Sequence, residues 1–552
     1  MIQLRDKTLI SLCLAASLKY KNRAAFAVLS GGKICRRITY LQMGMLARQY
    51  GSLLRELGVK KGGKVLLLSE NCPEWPLAYF GIAFAGAVSV PMLTGFSVEQ
   101  IEYIADHCEI SAICTSRLMT EKYKFTADMF SRIPLIMIDS VINAENSAGT
   151  AYNKEKTSEI TVLLGGAEKR LPLRITEEDT ANSPCEPDDL ASIIYTSGTQ
   201  GNSKGVMLTG ANLISSSLSS LSFVKLYPKD KLLSVLPLAH SYECSIGFLA
   251  PVMSGASVTY LDRPPSPSVL LPAFKTLRPT AIITVPLFIE KMYHNTIAPK
   301  LNNGKLYRHS LTRSISIRIA GHILKSSMGG KIRFFGIGGA PLSEDVENFL
   351  RRAGFPYSTG YGLTEAAPLV TGNKPGHFPF RSMGKAPKSV KLRIAGGAEG
   401  EIQVRGPNVM MGYYKDVAGT SEAFTDDGWL RTGDLGCIDK KGRLSIRGRI
   451  KAMILGPSGE NIYPEEIEGL LGSSHLVEDA LVYSGEKGEL VALVRLTDAA
   501  KTAAVAIEHA LEELRFWVNK KLASFSKLNR IEIRSEPFEK TPTMKIKRYL
   551  YV

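Results

Sequence analysis

Residues 195–205 read Tyr195-Thr196-Ser197-Gly198-Thr199-Gln200-Gly201-Asn202-Ser203-Lys204-Gly205, a run of small, hydroxylated and glycine residues that includes one lysine. They follow an apolar run at residues 190–195 that has the composition of a buried strand. Because glycine lets the main chain approach a ligand closely, such a loop can turn backbone N–H groups and hydroxyls toward a polyphosphate. Lys204 adds a point charge for phosphate oxygens. The stretch therefore predicts a phosphate-binding loop behind a buried strand.

This loop differs from a Walker A motif, which requires Gly-Lys-Ser/Thr after four spacer residues. Ser203 stands where the second glycine should be, and Gly205 follows the lysine. A flexible surface loop rich in serine and glycine stays open as the alternative.

Composition indicates a globular protein with anionic partners. The 552 residues allow two or three domains, and 45% apolar with 22% charged residues are globular values. The net charge of +16 favours nucleotides, coenzyme A, acidic membranes or nucleic acid, without choosing among them. The eight cysteines include no Cys-x-x-Cys pair, which indicates free thiols rather than a zinc site. We therefore expect a cytoplasmic protein.

Two apolar segments need to be distinguished from export and membrane signals. Residues 8–18 run directly into Lys19 without a convincing cleavage site and are too few to span a bilayer. Residues 78–93 are broken by glycines and Pro91. We expect a first helix in one case and a core helix followed by a strand in the other.

Strand-like and helix-like patterns alternate along the first part of the chain. Residues 65–68, 87–90 and 110–114 are typical of strands, and residues 75–85 and 101–107 of the helices between them. Further strands are predicted at 231–236 and 281–285. This alternation favours α/β layers with parallel strands.

A strand–loop–helix unit is predicted near residue 330. A strand at 331–336 leads into the tight loop Gly338-Gly339-Ala340-Pro341, and Ser343 is a candidate N-cap for a helix that ends at Arg352. A glycine loop between a strand and a helix is a common ligand position in open α/β sheets.

The last part of the chain has a different pattern. From about residue 390 it is β-rich, with strands predicted at 390–394, 401–405 and 444–447. A tail follows a boundary near Gly448, with a helix from Pro464, a hairpin at 479–483 and 489–496, a long helix at 503–522 and a strand at 530–534. We expect this tail to be a small α+β domain.

Four further segments carry side chains suited to nucleotide chemistry: Gly360-Tyr361-Gly362-Leu363-Thr364-Glu365, Arg431-Thr432-Gly433-Asp434, Gly448-Arg449-Ile450-Lys451 and Lys540-Thr541-Pro542-Thr543-Met544-Lys545-Ile546-Lys547-Arg548. Glu365 could hold Mg²⁺, and Asp434 could accept hydrogen bonds from a ribose. Taken singly, each segment also has an ordinary structural explanation as a turn, a helix start or a solvated basic tail.

Taken in order, these segments resemble the superfamily of acyl-CoA synthetases, peptide-synthetase adenylation domains and luciferases, over residues 20–548. Residues 236–243, 454–468 and 541–548 are most similar to the long-chain fatty acid–CoA ligase branch. The phosphate loop departs from the family pattern at Gln200, where threonine is usual, and at Asn202-Ser203, where a proline often precedes the lysine. Its hydroxyl and glycine framework and its lysine are kept.

The resemblance implies the adenylate-forming enzyme fold. It consists of a large AMP-binding domain at residues 1–447, with layered α/β subdomains and a β-rich subdomain, a hinge at 448–452 centred on Lys451, and a small mobile α+β domain at 453–552. It also implies ATP-dependent chemistry in two steps. A carboxylate attacks the α-phosphate to give an acyl-adenylate and pyrophosphate, and the thiol of coenzyme A then attacks the acyl carbon and releases AMP.

The same resemblance implies roles for individual residues. Thr196, Ser197, Gly198 and Thr199 would line the phosphates, with Lys204 nearby. Gly339, Ala340 and Pro341 would flank the adenine, Tyr361 would stack on it, and Gly362 would also contact the nucleotide. Thr364 would contact the α-phosphate and Glu365 the Mg²⁺, Asp434 and Arg449 would hold the ribose, and Lys545 would supply the catalytic charge of adenylation. His240 would lie near the acyl and thiol entrance, although a histidine in an apolar run is also an ordinary core residue.

The basic residues are concentrated in one region. Residues 291–343 contain nine Lys or Arg and no acidic residue, and apolar residues are interleaved at 315–324. This segment could touch the anionic inner face of the membrane, attract the phosphates of coenzyme A, or simply be solvated.

Three classes of function compete. The leading hypothesis is a fatty acid–CoA ligase, and its close rival transfers the acyl-adenylate to holo-acyl carrier protein. A non-catalytic lipid- or nucleotide-binding protein is disfavoured by the intact Lys204, Glu365, Asp434 and Lys545. A nucleic-acid binder is disfavoured because the basic residues lack a base-stacking aromatic pattern.

Overall fold

The computed structural model of the chain describes residues 2–124, 133–142, 158–164, 167–174, 185–196, 203–303, 310–376, 378–455, 461–485, 488–501, 507–541 and 545–551. Its strands are β1 Ala24–Ser30, β2 Lys33–Thr39, β3 Lys64–Leu68, β4 Val88–Met92, β5 Ile110–Thr115, β6 Leu135–Ile142, β7 Ser158–Leu164, β8 Ala167–Leu173, β9 Leu190–Thr196, β10 Lys204–Thr209, β11 Lys231–Leu233, β12 Ser257–Leu261, β13 Ala281–Thr284, β14 Phe334–Ile337, β15 Tyr357–Gly362, β16 Leu369–Gly372, β17 Lys391–Ala395, β18 Gly400–Arg405, β19 Gly412–Tyr413, β20 Leu430–Ile438, β21 Leu444–Arg449, β22 Ile454–Leu455, β23 Asn461–Ile462, β24 Val477–Ser484, β25 Leu490–Leu496 and β26 Arg530–Ile533.

The α-helices are α1 Leu9–Tyr20, α2 Tyr40–Glu56, α3 Glu74–Phe84, α4 Val98–Cys108, α5 Arg117–Tyr123, α6 Gly210–Phe223, α7 Ala250–Ser254, α8 Pro267–Leu277, α9 Pro286–Met292, α10 Ala298–Asn303, α11 Ser310–Ser327, α12 Glu344–Arg352, α13 Val417–Ala423, α14 Pro464–Gly472, α15 Asp498–Lys501 and α16 Ile507–Asn519. π-Helical segments lie at Glu243–Leu249 and Tyr293–Ile297, and 3₁₀ turns at Thr364–Ala366, Ile450–Ala452, Ser524–Ser526 and Arg548–Leu550.

Two large sheets organise the chain up to Tyr413. One has the strand order β19-β10-β9-β4-β3-β5-β6-β7-β8, and the other has the order β16-β15-β14-β13-β11-β12-β1-β2. Central neighbours such as β3 and β4, or β13 and β14, are parallel, while the edge pairs are antiparallel. Parallel neighbours require crossover connections, which explains why helices alternate with strands here. The predicted α/β layering is thereby confirmed.

Helix α3 forms part of the core and is buried along its whole length. Trp75 is fully buried and packs edge-on against Phe248 of a π-helical segment. Gly81 of α3 lies against Tyr50 of α2, where an added Cβ would overlap the tyrosine Cβ. The apolar segment at 78–93 is therefore a core helix followed by β4, as predicted, and among the described residues no helix combines the length and apolar character needed to cross a bilayer.

The β-rich part and the tail have separate sheets. Strands β17, β18, β20 and β21 form an antiparallel sheet, and in the tail β24 and β25 form the predicted hairpin, to which β26 adds in parallel. Helices α14 and α16 pack on the sheet formed by β24, β25 and β26, around a core that includes Ile467, Val482, Val494 and Val518. The tail therefore has its own hydrophobic core, as the sequence predicts for an α+β unit.

One predicted strand is shorter than expected, and the difference matters for the site. The strand predicted at 231–236 ends at Leu233 as β11. The following loop is held by Asn71, whose amide nitrogen donates to the Leu236 carbonyl (2.5 Å) and whose amide oxygen accepts from the Leu238 N–H (2.8 Å). Because side-chain hydrogen bonds replace the strand ladder, the chain leaves the sheet after Leu233 and reaches His240 as a loop.

Candidate active site

The phosphate loop is carried by the antiparallel pair β9 and β10. Thr196 ends β9, Lys204 begins β10, and the two face each other across the pair. The Thr196 hydroxyl donates to the Lys204 carbonyl at 3.4 Å. The predicted phosphate contacts Ser197, Gly198 and Thr199 lie outside the described residues.

Lys204 is held by residues that the sequence did not single out. Its Nζ lies 4.5 Å from the ring centroid of Tyr413 and 3.5 Å from Oδ2 of Asp416. The Tyr413 hydroxyl donates to Oε1 of Glu365 at 2.9 Å. Burial, reinforced by the Glu365 carboxylate, raises the pKa of Tyr413, so this hydroxyl stays a donor. One tyrosine thus connects the lysine of the phosphate loop to the predicted metal ligand.

Thr364 and Glu365 lie on a tight turn immediately after β15. The Glu365 carbonyl accepts from the Met410 N–H at 2.9 Å, and the Thr364 hydroxyl lies 3.4 Å from that of Ser241. Gly362 precedes this turn, and an added Cβ there would overlap the Pro368 carbonyl oxygen. Only glycine fits at this position, so the packing against Pro368 explains Gly362 without a ligand.

Tyr361, Asp434 and Arg449 form one hydrogen-bonded group. Asp434 and Arg449 face each other across β20 and β21, with the arginine Nε 3.1 Å from Oδ1. The Tyr361 hydroxyl donates to Oδ2 at 2.6 Å. Tyr361 and Asp434 are both buried, and burial raises the pKa of the tyrosine well above its usual range. The structure therefore brings the predicted adenine and ribose residues together.

Gly339, Ala340 and Pro341 form an exposed turn between β14 and α12. Gly339 has a φ of +87°, a left-handed conformation that favours glycine. Ser343 occupies the predicted N-cap position, but its side chain makes no capping bond, and the Glu290 carboxylate instead accepts from its N–H at 2.8 Å. This turn lies at the carboxyl end of β14, beside the strand that carries Tyr361, a usual ligand position in parallel sheets.

His240 lies at the end of the loop held by Asn71. Its Nδ1 accepts from the Tyr242 N–H at 3.2 Å, so the neutral ring carries its proton on Nε2. Burial, followed by the charge of Lys545, lowers the pKa of His240 to about 4. His240 is therefore a neutral donor near Lys545 rather than an isolated core histidine.

Lys545 enters this same site from the tail. Lys545 is exposed to solvent, and Arg449, Asp434, Glu365 and Glu465 are its charged neighbours. Lost hydration, followed by the Arg449 charge, lowers the pKa of Lys545, while the carboxylates of Asp434, Glu365 and Glu465 act in the opposite direction.

The other basic side chains of the segment 540–548 have different partners. Lys540 pairs with Asp479 at 2.6 Å, Lys547 with Glu539 at 3.1 Å and Arg548 with Glu468 at 2.6 Å. These ion pairs attach the segment to the tail, so it is not a solvated basic extension. Lys545 differs from them because it lies among groups of the large part of the chain.

The predicted hinge residue, Lys451, is exposed in the short 3₁₀ turn Ile450–Ala452 between β21 and β22. Arg449, one residue before this turn, is the partner of Asp434. The connection to the tail therefore starts directly at the candidate site.

The sequence missed Asn71, Tyr413, Asp416 and Glu465. Asn71, Tyr413 and Asp416 lie outside the segments singled out above. Glu465 lies within the segment 454–468, to which the resemblance assigned no ligand role. Tyr413 reaches Lys204 only because β19 pairs with β10, which places Tyr413 opposite Val206. These contacts depend on pairings between distant segments.

Comparisons with known proteins identify the family of the chain. The family model described as AMP-binding enzyme matches residues 15–414. The chain is 30% identical to human long-chain-fatty-acid–CoA ligase 1, over 93% of this chain and 80% of that protein. It is also 30% identical to the peroxisomal long chain acyl-CoA synthetase 6 of Arabidopsis thaliana, over 83% and 68%.

Among solved structures, the o-succinylbenzoate CoA synthetase of Bacillus subtilis, in complex with its acyl-adenylate intermediate, has a TM-score of 0.74 at 22% identity and covers 100% of this chain and 98% of its own. This likeness concerns the fold. The chain therefore belongs to the AMP-binding enzyme family, has the adenylate-forming enzyme fold and is an AMP-forming acid–thiol ligase.

Proposed function

We propose that the chain activates a long-chain fatty acid with ATP and transfers the acyl group to coenzyme A, with release of pyrophosphate and AMP. The observation that carries the proposal is the hydrogen-bonded group of Tyr361, Asp434 and Arg449. Tyr413 joins Lys204 to Glu365 beside it, and Arg449, Asp434 and Glu365 act on the pKa of Lys545. The names of the two relatives above support the long-chain fatty acid as substrate.

In the first step the fatty acid carboxylate is itself the nucleophile, so no side-chain base is needed. The site has to align this carboxylate with the α-phosphate and offset the developing negative charge. Tyr361 and the Gly339–Pro341 turn would hold adenine, and Asp434 with Arg449 the ribose. Thr364 and Lys545 would contact the α-phosphate, while Thr196, Ser197, Gly198, Thr199 and Lys204 would receive the pyrophosphate.

Mg²⁺ fits the donor set around Glu365. A magnesium ion at a nucleotide usually takes one or two protein carboxylates and fills its other positions with water and phosphate oxygens. The Glu365 carboxylate faces the same space as Lys204, through Tyr413. When bound, the ion would supply positive charge that stabilises the phosphate oxygens.

The second step needs room for the thiol where Lys545 now lies. We therefore infer a large domain at 1–447, a hinge at 448–452 and a small domain at 453–552 that moves between the two steps. The separate core of the tail and the exposed turn at Lys451 support this division. A few residues at the end of a strand are sufficient to act as a hinge.

An apolar acyl site would begin behind His240. Cys244, Phe248 and Leu249 of the π-helical segment are buried, as are Ala366 and Val370 beyond the Glu365 turn. The neutral His240 could donate a hydrogen bond from Nε2 to the substrate carboxylate at the mouth of such a site. This arrangement suits a substrate with one polar end and a long apolar chain.

The acceptor thiol is the point on which a second candidate function depends. The phosphopantetheine thiol of an acyl carrier protein would react with the same adenylate, and the net charge of +16 suits an acidic carrier as well as coenzyme A. A pyrophosphate-release assay with carboxylates of two to eighteen carbons, each with coenzyme A or with holo-acyl carrier protein, distinguishes them. We expect the largest release with long-chain acids and coenzyme A; no release with any fatty acid would overturn the proposal.

Lys545→Ala should separate the two steps. Without the charge on the α-phosphate oxygens we expect adenylate formation to fall by about 100-fold or more, while thioester formation from supplied acyl-AMP is retained. The matched control is Lys547→Ala, which removes a neighbouring lysine paired with Glu539 and should leave both rates within about threefold of the parent. Equal loss of both steps in Lys545→Ala would contradict the assigned role.

A further inference from the structure

Helix α11 exposes a line of large apolar side chains. Ile315, Ile319 and Ile323 are 57%, 51% and 61% exposed. Their spacing of four residues places them on one face of the helix. We call these three residues the isoleucine ridge.

The opposite face of α11 is packed into the protein. Ile317 and Leu324, with Met328 just after the helix, are buried in the core beside strands β13, β14 and β15. An added Cβ on Gly321 would lie 2.5 Å from the Cβ of Ala353, so α11 lies directly against the end of α12. Because this contact fixes the rotation of the helix, the ridge is held facing away from the core.

The segment that contains the ridge carries charge of a single sign. Residues 291–343 contain nine Lys or Arg and no acidic residue. Arg318 and His322 are exposed on the side of α11 next to the ridge, with Lys325 following at the end of the helix. Arg351 and Arg352 are exposed immediately before Ala353. An apolar line with a cationic border matches an interfacial helix.

We propose that this face of α11 docks on the surface of an anionic lipid bilayer, with the isoleucine ridge in the headgroup region and the basic residues against lipid phosphates. A second copy of the chain would bring two positive faces together, which disfavours self-association. The ridge is short and consists of exposed aliphatic side chains, which suits insertion between lipid headgroups. The inference goes beyond the proposed function, since the ridge lies outside the candidate active site.

Vesicle flotation of the full chain tests the proposal. The vesicles contain phosphatidylcholine alone or phosphatidylcholine with 30 mol% phosphatidylglycerol. We expect binding to the anionic vesicles only, weakened by 0.5 M salt. The triple variant Ile315→Ser, Ile319→Ser, Ile323→Ser should lower the partition coefficient at least about tenfold. Arg318→Gln with Lys325→Gln should lower it by about fivefold per charge at low salt.

A matched control removes equally exposed apolar side chains elsewhere. Leu18, Leu118 and Val417 are 67%, 55% and 86% exposed on α1, α5 and α13, and their triple serine variant should bind anionic vesicles like the parent. Equal binding of the ridge variant and the parent, or absence of parent binding, would overturn the proposal.

Two other measurements can also overturn it. If the ridge variant loses affinity for holo-acyl carrier protein while its vesicle binding is unchanged, the face belongs to a protein partner. If sedimentation shows a parent dimer that the ridge variant lacks, the face belongs to a second copy. Pyrophosphate release is also measured on each variant, with the fatty acid below its critical micelle concentration. This assay separates a loss of membrane docking from a failure of the proposed activity.

Discussion

Glu243 is a buried carboxyl group three residues after His240. Its Oε1 accepts from the Ser234 hydroxyl at 2.5 Å, whereas its Oε2 has no hydrogen-bond partner among the described residues. The carboxyl lies so close to Gly247 that an added Cβ there would be 2.6 Å from its carbon. Burial raises the pKa of Glu243 to about 8. Near neutral pH this side chain is therefore a protonated acid in the wall behind the site.

The raised pKa predicts a specific pH dependence of stability. The folded state keeps the Glu243 proton up to about pH 8, while the unfolded chain loses it near 4.5, so this group's contribution is fully present below about pH 4.5 and is lost as the pH rises toward 8. Glu243→Gln stays neutral. We expect the free energy of unfolding of the variant, relative to that of the parent, to rise by roughly 1.4 kcal/mol per pH unit across that window.

Urea unfolding of both proteins at pH 5, 6.5 and 8 measures this gain. His240 is present in both, so its own titration cancels. Glu422→Gln, at an exposed position on α13, should show a difference from the parent that does not change with pH. A constant difference for Glu243→Gln as well would mean that Glu243 is ionised in the folded protein.

At the scale of elements, the hairpin formed by β9 and β10 determines where the phosphate loop lies. Tyr195 of β9 shares a hydrogen bond with Nδ1 of His107 at 2.6 Å and contacts the Cys108 thiol at 3.2 Å, which ties the strand to α4. Gly205 of β10 lies over the Tyr195 ring, where an added Cβ would be 3.0 Å away. The glycine after Lys204 is needed for this packing.

Gly205→Ala should therefore move the hairpin. We expect it to destabilise the protein by about 1–3 kcal/mol through overpacking and to raise KM for ATP, since Lys204 is the preceding residue. The measurements are urea unfolding and ATP dependence of pyrophosphate release. Gly469→Ala is the control, because an added Cβ at this exposed position of α14 meets nothing within 4 Å and should be neutral or slightly stabilising. An unchanged KM in Gly205→Ala would contradict the role given to the hairpin.

At the scale of the whole molecule, the tail is placed so that Lys545 lies at the candidate active site. The inferred second step requires the tail to rotate about the turn at Lys451. Lys451→Pro should restrict that rotation, because proline holds φ near −65°, close to the value of a 3₁₀ turn. We expect adenylate formation within about threefold of the parent and thioester formation reduced at least about 100-fold.

Single-turnover measurements of the two steps test this prediction. Lys451→Ala keeps rotation free and should retain both steps. A thermal midpoint close to that of the parent shows that the proline variant is folded. If Lys451→Pro transfers the acyl group at the parent rate, the connection at 448–452 is not the hinge.

The sequence by itself determined the α/β layering, the β-rich part, the α+β tail and the order of the glycine-rich segments, because hydrophobic periodicity and turn residues act within short windows. It also singled out Lys204, Glu365, Asp434 and Lys545, since their motifs are local. It did not determine the partners of those residues.

Only the tertiary structure decided how these groups meet. Tyr413 comes to Lys204 through the pairing of β19 with β10, Lys545 comes to Glu365 through the docking of the tail, and the isoleucine ridge faces outward because Gly321 packs on Ala353. Each contact joins segments far apart in the chain. The direction of a side chain then depends on strand pairing and helix packing, which no local pattern specifies.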